Sequence, residues 1–232
     1  NMWAYASVNW LPKLNSFVDG KMNLDLYSNS ENSIRLADLY LNLNLTENFS
    51  LMGGQMKVPF GYAYTRSGGS MYFADRAFIS SADDYKNYAM RDNGLCLVAS
   101  FEPVTVDLGF FNGTGANGMA DNDWNNQFAA RISADAMEWL TLGAAFTTIG
   151  QPEVEEVAES WSSSGIDVFG VVNYPMSETA EMFFEGEYAM LGAVGPEMEG
   201  VTMNDASCMS VALGAEFAVG EGVLQAVRPA VR

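Results

Sequence analysis

The feature that most narrows the fold of this chain is a beat of two. In "DLYLNLNL", Leu39, Leu41, Leu43 and Leu45 fall on one side of an extended chain, and Asp38, Tyr40, Asn42 and Asn44 on the other. Successive side chains of a strand point to opposite faces, so this is strand periodicity. The beat returns in Phe128, Ala130, Ile132 and Ala134 against Gln127, Arg131, Ser133 and Asp135. It returns in Met182, Phe184, Tyr188 and Met190 against Glu181, Glu185 and Glu187, with Phe183 an exception on the polar side. Met209, Val211, Leu213, Ala215 and Phe217 oppose Ser210, Ala212, Gly214 and Glu216 in the same way. Read throughout, the pattern predicts about twelve strands: near 3–10, 21–28, 34–45, 49–57, 94–102, 104–112, 126–135, 139–148, 165–174, 181–190, 207–217 and 223–232. Most run roughly 8 to 11 residues, longer than the usual ~5 to 6 of a globular strand and close to the ~9 to 11 that a tilted strand needs to cross a bilayer. No segment reads as a long helix.

The connections narrow the choice further. From residue 46 they run short, long, short, long: "TEN", then 58–93, a turn at Pro103, 113–125, "AME", 149–164, "PMSETA", 191–206 and "GEG". A barrel with tight turns at one rim and long loops at the other produces this alternation. A soluble Greek-key sandwich has no reason to keep it. The two faces agree. The polar face carries Asp25, Arg131, Asp135, Glu185, Glu187 and Glu216, as a water-filled interior requires, while the apolar face suits lipid, where Arg or Lys at the midplane costs roughly 2–4 kcal/mol. Closing the sheet also removes strand edges that lipid cannot hydrogen-bond. The expected fold is therefore all-β, a single transmembrane antiparallel barrel over 1–232. Trp10, Tyr27, Trp139 and Tyr174 sit near strand ends, which is either an interfacial aromatic girdle or the ordinary preference of strands for aromatics.

Composition excludes several functions. A formal net charge of −18 repels nucleic acid, whose binding needs a basic face. The absence of histidine removes Ser-His-Asp and Cys-His catalysis and every His-ligated metal site. Cys96 and Cys208, 112 positions apart, match no metal or redox motif and read as free thiols. The expectation is a protein that is not an enzyme, with no cofactor and no metal. "DNDWNN" has the look of a calcium loop but carries Asn126 where glycine is needed and Ile132 where glutamate is needed. A glycosidase-like carboxylate pair, from Glu185 with Glu187 or Glu155 with Glu156, is no more than an acidic chain supplies by chance. Neither an apolar leader nor a run of about 18 apolar residues is visible.

Against this acidic background Lys57, Arg66, Arg76, Lys86 and Arg91, five of the eleven basic residues, lie in one stretch. Residues 58–93 exceed an ordinary connection and hold Phe60, Tyr62, Tyr64, Tyr72, Phe73, Phe78, Tyr85 and Tyr88, too aromatic for disorder. The loop is expected to fold inward onto the barrel wall. "GQMKVPFG" (54–61), "SMYFADRAF" (70–78), "RDNGL" (91–95) and "VDLGFFNGTG" (106–115) together resemble the phosphate-selective porin family, the O and P type porins of Gram-negative outer membranes. The resemblance covers about residues 49–115 and fades to strand rhythm elsewhere.

The resemblance implies a sixteen-stranded, usually trimeric passive channel, embedded in lipid and lipopolysaccharide, whose 58–93 loop forms the constriction. It places Lys57, Arg66, Arg76 and Arg91 on or beside that loop as contacts for a passing anion such as phosphate, and Arg131 joins them from the wall by its strand parity. Arg76 and Arg91 read equally as partners of Asp75, Asp83, Asp84 or Asp92 that pin the loop. The chain departs from the family in having few basic residues, several inward glutamates and the ending "AVRPAVR" in place of a terminal aromatic strand, so the sequence is expected to cover part of a barrel. The charge balance predicts weak anion preference at high salt and a shift towards cations when the acidic mouths are unscreened. Two other classes stay open from the sequence: a docking barrel whose acidic loops hold other envelope components, and a soluble carbohydrate-binding module.

Overall fold

The computed structural model describes residues 5–27, 34–66, 88–117, 126–151, 161–193, 205–218, 226–227 and 230–231. Eleven long strands follow in chain order: β1 (Tyr5–Trp10), β2 (Val18–Tyr27), β3 (Ile34–Asn44), β4 (Phe49–Lys57), β5 (Arg91–Phe101), β6 (Val104–Phe111), β7 (Gln127–Met137), β8 (Leu140–Gln151), β9 (Trp161–Ser177), β10 (Ala180–Leu191) and β11 (Ala206–Ala218). Each pairs antiparallel with the next in one continuous sheet, and two short pieces, β12 (Ala226–Val227) and β13 (Ala230–Val231), lie along β11. The final segment expected at 223–232 is thus represented by these two short pieces. A short helical turn, α1 (Tyr62–Thr65), follows β4.

The short turns gather at one rim. At 45–48 the Thr46 hydroxyl accepts the backbone N–H groups of Asn48 and Phe49 at 3.2 and 3.0 Å, closing the β3–β4 turn. The β5–β6, β7–β8 and β9–β10 turns need two residues each, 102–103, 138–139 and 178–179. The strand ends joined by the long connections lie at the other rim, so short and long connections alternate along the described strands as read from the sequence. Edge-to-face ring pairs sit at the short-turn rim, Phe49 with Phe101 at 5.3 Å and Trp139 with Tyr174 at 5.7 Å.

The sheet is open, yet it is strongly curled. The Phe60 ring reaches to where a Cβ on Gly165 of β9 would stand, 3.0 Å away. On a flat sheet β4 and β9, five spacings apart, would be about 24 Å distant. Three extended residues beyond Lys57 cover about 10 Å, so the wall must bend round to meet the ring. This is the wall of a partial barrel.

Its two faces divide as the period of two requires. Leu39, Leu41, Leu95, Leu108, Phe110, Ile132, Leu142, Phe146, Ile166, Val168, Met190, Val211 and Leu213 are all exposed on the outer face. So continuous an apolar surface is foreign to a soluble monomer and is a lipid-facing belt. Phe183, the exception in the pattern, is fully buried on the inner side. Among the described residues no helix is long and apolar enough to cross a membrane; the crossing surface is made by strands.

The buried core lies between the inner wall and the two ends of the long connection. Val58, Phe60, Tyr88 and Ala89 from that connection pack on Met56, Cys96, Phe111, Ala129, Ala145, Ala189 and Leu191. Ala129, Ala145, Gly165 and Ala189 come from β7, β8, β9 and β10 in turn. A run of small residues on the wall is what leaves room for the incoming rings.

Candidate functional site

The site is the inner surface where residues 58–66 cross the wall. Gly54 has φ 131, and a Cβ there would meet the Leu39 carbonyl oxygen at 2.3 Å, so β4 bends against β3 only because this residue is glycine. Three residues on, at Lys57, β4 ends. Val58, Pro59, Phe60 and Gly61 are buried, and Gly61, at φ 78, turns the chain into α1. Lys57 closes the other end of that turn: its ammonium donates to the carbonyls of Tyr64, Thr65 and Arg66 at 2.7, 3.3 and 2.9 Å. These are orphan carbonyls at the C-terminal end of a helical turn, where a cation is favoured.

α1 is docked on the far wall. Tyr62 stacks on Phe169 of β9, with ring centroids 4.8 Å apart. The Ala63 N–H donates to Glu187 of β10 at 2.9 Å, and Arg66 forms an ion pair with Glu185. Arg131 on β7 holds Asp107 of β6 at 2.6 Å and donates to the Thr65 hydroxyl at 3.0 Å. Asp107 and Arg131 stand directly opposite in the β6–β7 register. The returning chain is fastened too, since the Tyr88 hydroxyl donates to the Gly192 carbonyl and lies 2.7 Å from the Ser163 hydroxyl.

Arg91 begins β5 and donates to Asp38 of β3 at 2.7 Å, on the carboxylate that also takes Lys21 at 2.9 Å. Asp92 points elsewhere, accepting from the N–H groups of Asn93 and Gly113. The "RDNG" and "FNG" blocks are therefore tied to each other, and the "KVPFG" block launches the inward turn. Arg76 and its surrounding "SMYFADRAF" block lie outside the described residues.

Of the sequence-predicted site residues, the fold brings Lys57, Arg66 and Arg131 together around α1 and sets Arg91 beside them on β5. Among the described residues Arg91's ion-pair partner is Asp38 and not Asp92; Asp75, Asp83 and Asp84 lie outside the described residues. Arg66, with no acid nearby in the sequence, finds Glu185 across the wall. Tyr62, Phe169, Glu185 and Glu187 complete the site. The two glutamates stood out in the sequence by their inward parity and as neighbouring carboxylates, but nothing there pointed to Arg66 or Ala63 as their partners. Between α1 and the wall remains a cavity of about 290 Å³ lined by Lys21, Asp38, Tyr40, Lys57, Asp107 and Arg131 among others. It is walled by opposed charges. Elsewhere on the inner face acids predominate: Asp19 accepts from Asn42 and Asn44, Asp135 accepts from Thr141, and Glu181 stands opposite Glu216. No group of three or more His, Cys, Asp or Glu side chains fit to hold a metal ion occurs among the described residues. Cys96 and Cys208 are both free thiols.

No family model matches the chain, and no curated protein matches it. Solved structures do. The anion-selective porin from Comamonas acidovorans is 14% identical over 93% of this chain and 64% of its own, with a TM-score of 0.57. The Salmonella typhi OmpF complex with daunomycin is 14% identical over 94% of this chain and 79% of its own, at 0.45. The trimer form of OmpT, an outer membrane protein of Vibrio cholerae, is 14% identical over 94% and 76%, also at 0.45. The likeness to the first of these is one of fold: an outer-membrane β-barrel, of which this chain spans less than two thirds.

Proposed function

We propose that this chain forms the wall of a passive channel for small hydrophilic solutes and ions in the outer membrane of a Gram-negative envelope. The observation that carries the reading is the inner segment 58–66, fastened across a polar, charge-lined face whose reverse is a lipid-facing belt. A wall apolar outside and charged inside has water on its inner side, and a segment fixed across that water narrows it. No step of chemistry is needed, and we read the protein as a channel and not an enzyme. Its surroundings would be lipid and lipopolysaccharide, and further strands would close the barrel. Assembly as a homotrimer is what the resemblance to the phosphate-selective porins implies.

The lining argues for a selectivity other than phosphate. Arg66, Arg91 and Arg131 each lie on a carboxylate, and Lys57 is held by three carbonyls. Their role in this reading is to position the loop. Charges so neutralised offer little to an anion, while Asp19, Asp135 and Glu181 add acid to the inner face. We therefore favour a mild cation preference at every ionic strength, in place of the anion preference expected at high salt. Swelling of proteoliposomes in solutes of graded size tests the channel reading. Entry of small sugars and amino acids with a sharp size limit supports it; vesicles as tight as protein-free ones overturn it.

A further inference from the structure

The cavity between α1 and the wall runs across several strands, and three register pairs line it. Lys21 and Tyr40 face each other across β2–β3, Met52 and Cys96 across β4–β5, and Asp107 and Arg131 across β6–β7. The trough is thus polar at both ends and apolar in the middle. The inner segment covers it with Pro59 and Thr65. Its volume of about 290 Å³ is close to the lower limit of the ~300–1,000 Å³ usual for small-molecule sites, which suits a solute no larger than a monosaccharide.

Each charged group at the two ends already touches its opposite. Lys21 meets Asp38 at 2.9 Å, and Asp38 takes Arg91 on its other oxygen. Arg131 gives two N–H groups to one oxygen of Asp107, at 2.8 and 2.6 Å, and a third to the Thr65 hydroxyl. Charge is matched locally, but hydrogen-bonding capacity is left over. An ammonium has three N–H donors and a guanidinium five; among the described residues Lys21 uses one and Arg131 three. The second oxygen of Asp107 and the Tyr40 hydroxyl have no hydrogen-bond partner among the described residues.

A solute with net charge gains little here, because Lys21, Asp38, Asp107 and Arg131 already have their counter-charges. A zwitterion would have to part those ion pairs to be held by its own charges. A neutral polyol needs neither. Its hydroxyls accept from the remaining N–H groups and donate to Asp107, and hydrogen bonds to charged groups are about twice as strong as neutral ones. Its C–H face lies on Met52 and Cys96. We propose that the cavity is a binding subsite for a neutral polyhydroxylated solute of monosaccharide size, hydrogen-bonded by Lys21 and Tyr40 at one end and by Asp107 and Arg131 at the other. The proposal rests on the reading of the inner face as the wall of a water-filled channel. Binding is expected to be weak, because a solute in transit must also leave.

Binding is measured without any channel, by saturation-transfer NMR from the chain refolded in deuterated detergent to glucose, galactose and myo-inositol. At least one of them is expected to bind saturably in the millimolar range, and inorganic phosphate and glycine are expected not to displace it. Tyr40→Phe removes a hydroxyl on which no described residue depends, so it should fold as the parent does and weaken binding roughly 3- to 10-fold. Lys21→Met leaves Asp38 to Arg91 and should weaken binding by about tenfold or more. Ser133→Ala, on the same face but outside the cavity, should change nothing. In planar bilayers the bound solute should reduce single-channel current, half-saturating at the same concentration. The subsite is overturned by the lack of a saturable signal from all three, by displacement with phosphate or glycine, by affinity unchanged in both Tyr40→Phe and Lys21→Met, or by openings that the bound solute leaves unaltered. Openings without binding leave the channel standing; saturable binding without openings overturns the channel and leaves the site.

Discussion

The Arg66–Glu185 pair is the contact by which the loop's docking can best be weighed. Both side chains keep 15–18% of their exposure, between a buried pair, whose breaking costs about 3–5 kcal/mol, and a surface pair worth about 0–1 kcal/mol. Losing one partner here should therefore cost about 2 kcal/mol. The rest of the docking contact is of similar size: stacking of Tyr62 on Phe169 contributes about 0.5–1.5 kcal/mol, and the charge-assisted Ala63–Glu187 bond about 1.5–3 kcal/mol. Removing the ion pair thus takes away a large share of what holds α1 down. At about 1.4 kcal/mol per factor of ten, 2 kcal/mol raises the lifted fraction about 30-fold. The labelling rate of a cysteine at Ala63→Cys should rise by that factor in Glu185→Gln and in Arg66→Gln. The double variant should be no worse than either alone, because the cycle then isolates one shared interaction. Labelling unchanged in both single variants, or rates that multiply in the double variant, would refute the reasoning.

Other parts of the account can be tested in the same protein. Gly165→Leu puts a side chain where a Cβ already meets Phe60, Tyr88 and Leu191 at 3.0–3.2 Å, and should expose the loop to limited proteolysis while the strands stay protected. Lys57→Met leaves three carbonyls without their donor and should loosen α1 by about 1–3 kcal/mol, read as faster cysteine labelling at position 63. Ile132→Arg, on the outer belt, should lower refolding stability in bilayers by about 2–4 kcal/mol if it lies near the midplane, whereas Ser133→Arg, one residue away on the inner face, should cost far less. Urea titration in lipid vesicles separates the two.

Much of the wall was legible because its side chains obey one local rule. Period-two alternation located eleven strands, and even the misfit Phe183 takes the inner position that its place in the pattern assigned. The ends were less legible. β9 begins at Trp161 and β5 at Arg91, several residues before alternation becomes clear, because ladder pairing with a neighbour extends strands through Ser-rich and mixed-polarity sequence. The pairs of the site were hidden for another reason. Asp38 to Arg91 spans 53 residues and Arg66 to Glu185 spans 119, and such partners are chosen by how far the wall curls and where the loop crosses it. Sequence neighbours such as Asp92 were the wrong place to look. Lys57 shows the same limit: its three carbonyl partners exist only once 62–65 has wound into a turn. The motif blocks that carried the resemblance prove to hold glycines with a steric reason, Gly54 and Gly61, and basic groups that fasten.

Whether those fastened charges leave an acidic water-filled passage is decided by reversal potential across a planar bilayer in a salt gradient, repeated at low and high ionic strength. The account predicts discrete channel openings with a reversal potential on the cation side throughout, moved little by Lys57→Gln and towards zero by Asp135→Asn with Glu216→Gln. Reproducible refolding without any openings, or anion-side potentials that collapse in Lys57→Gln, would contradict it.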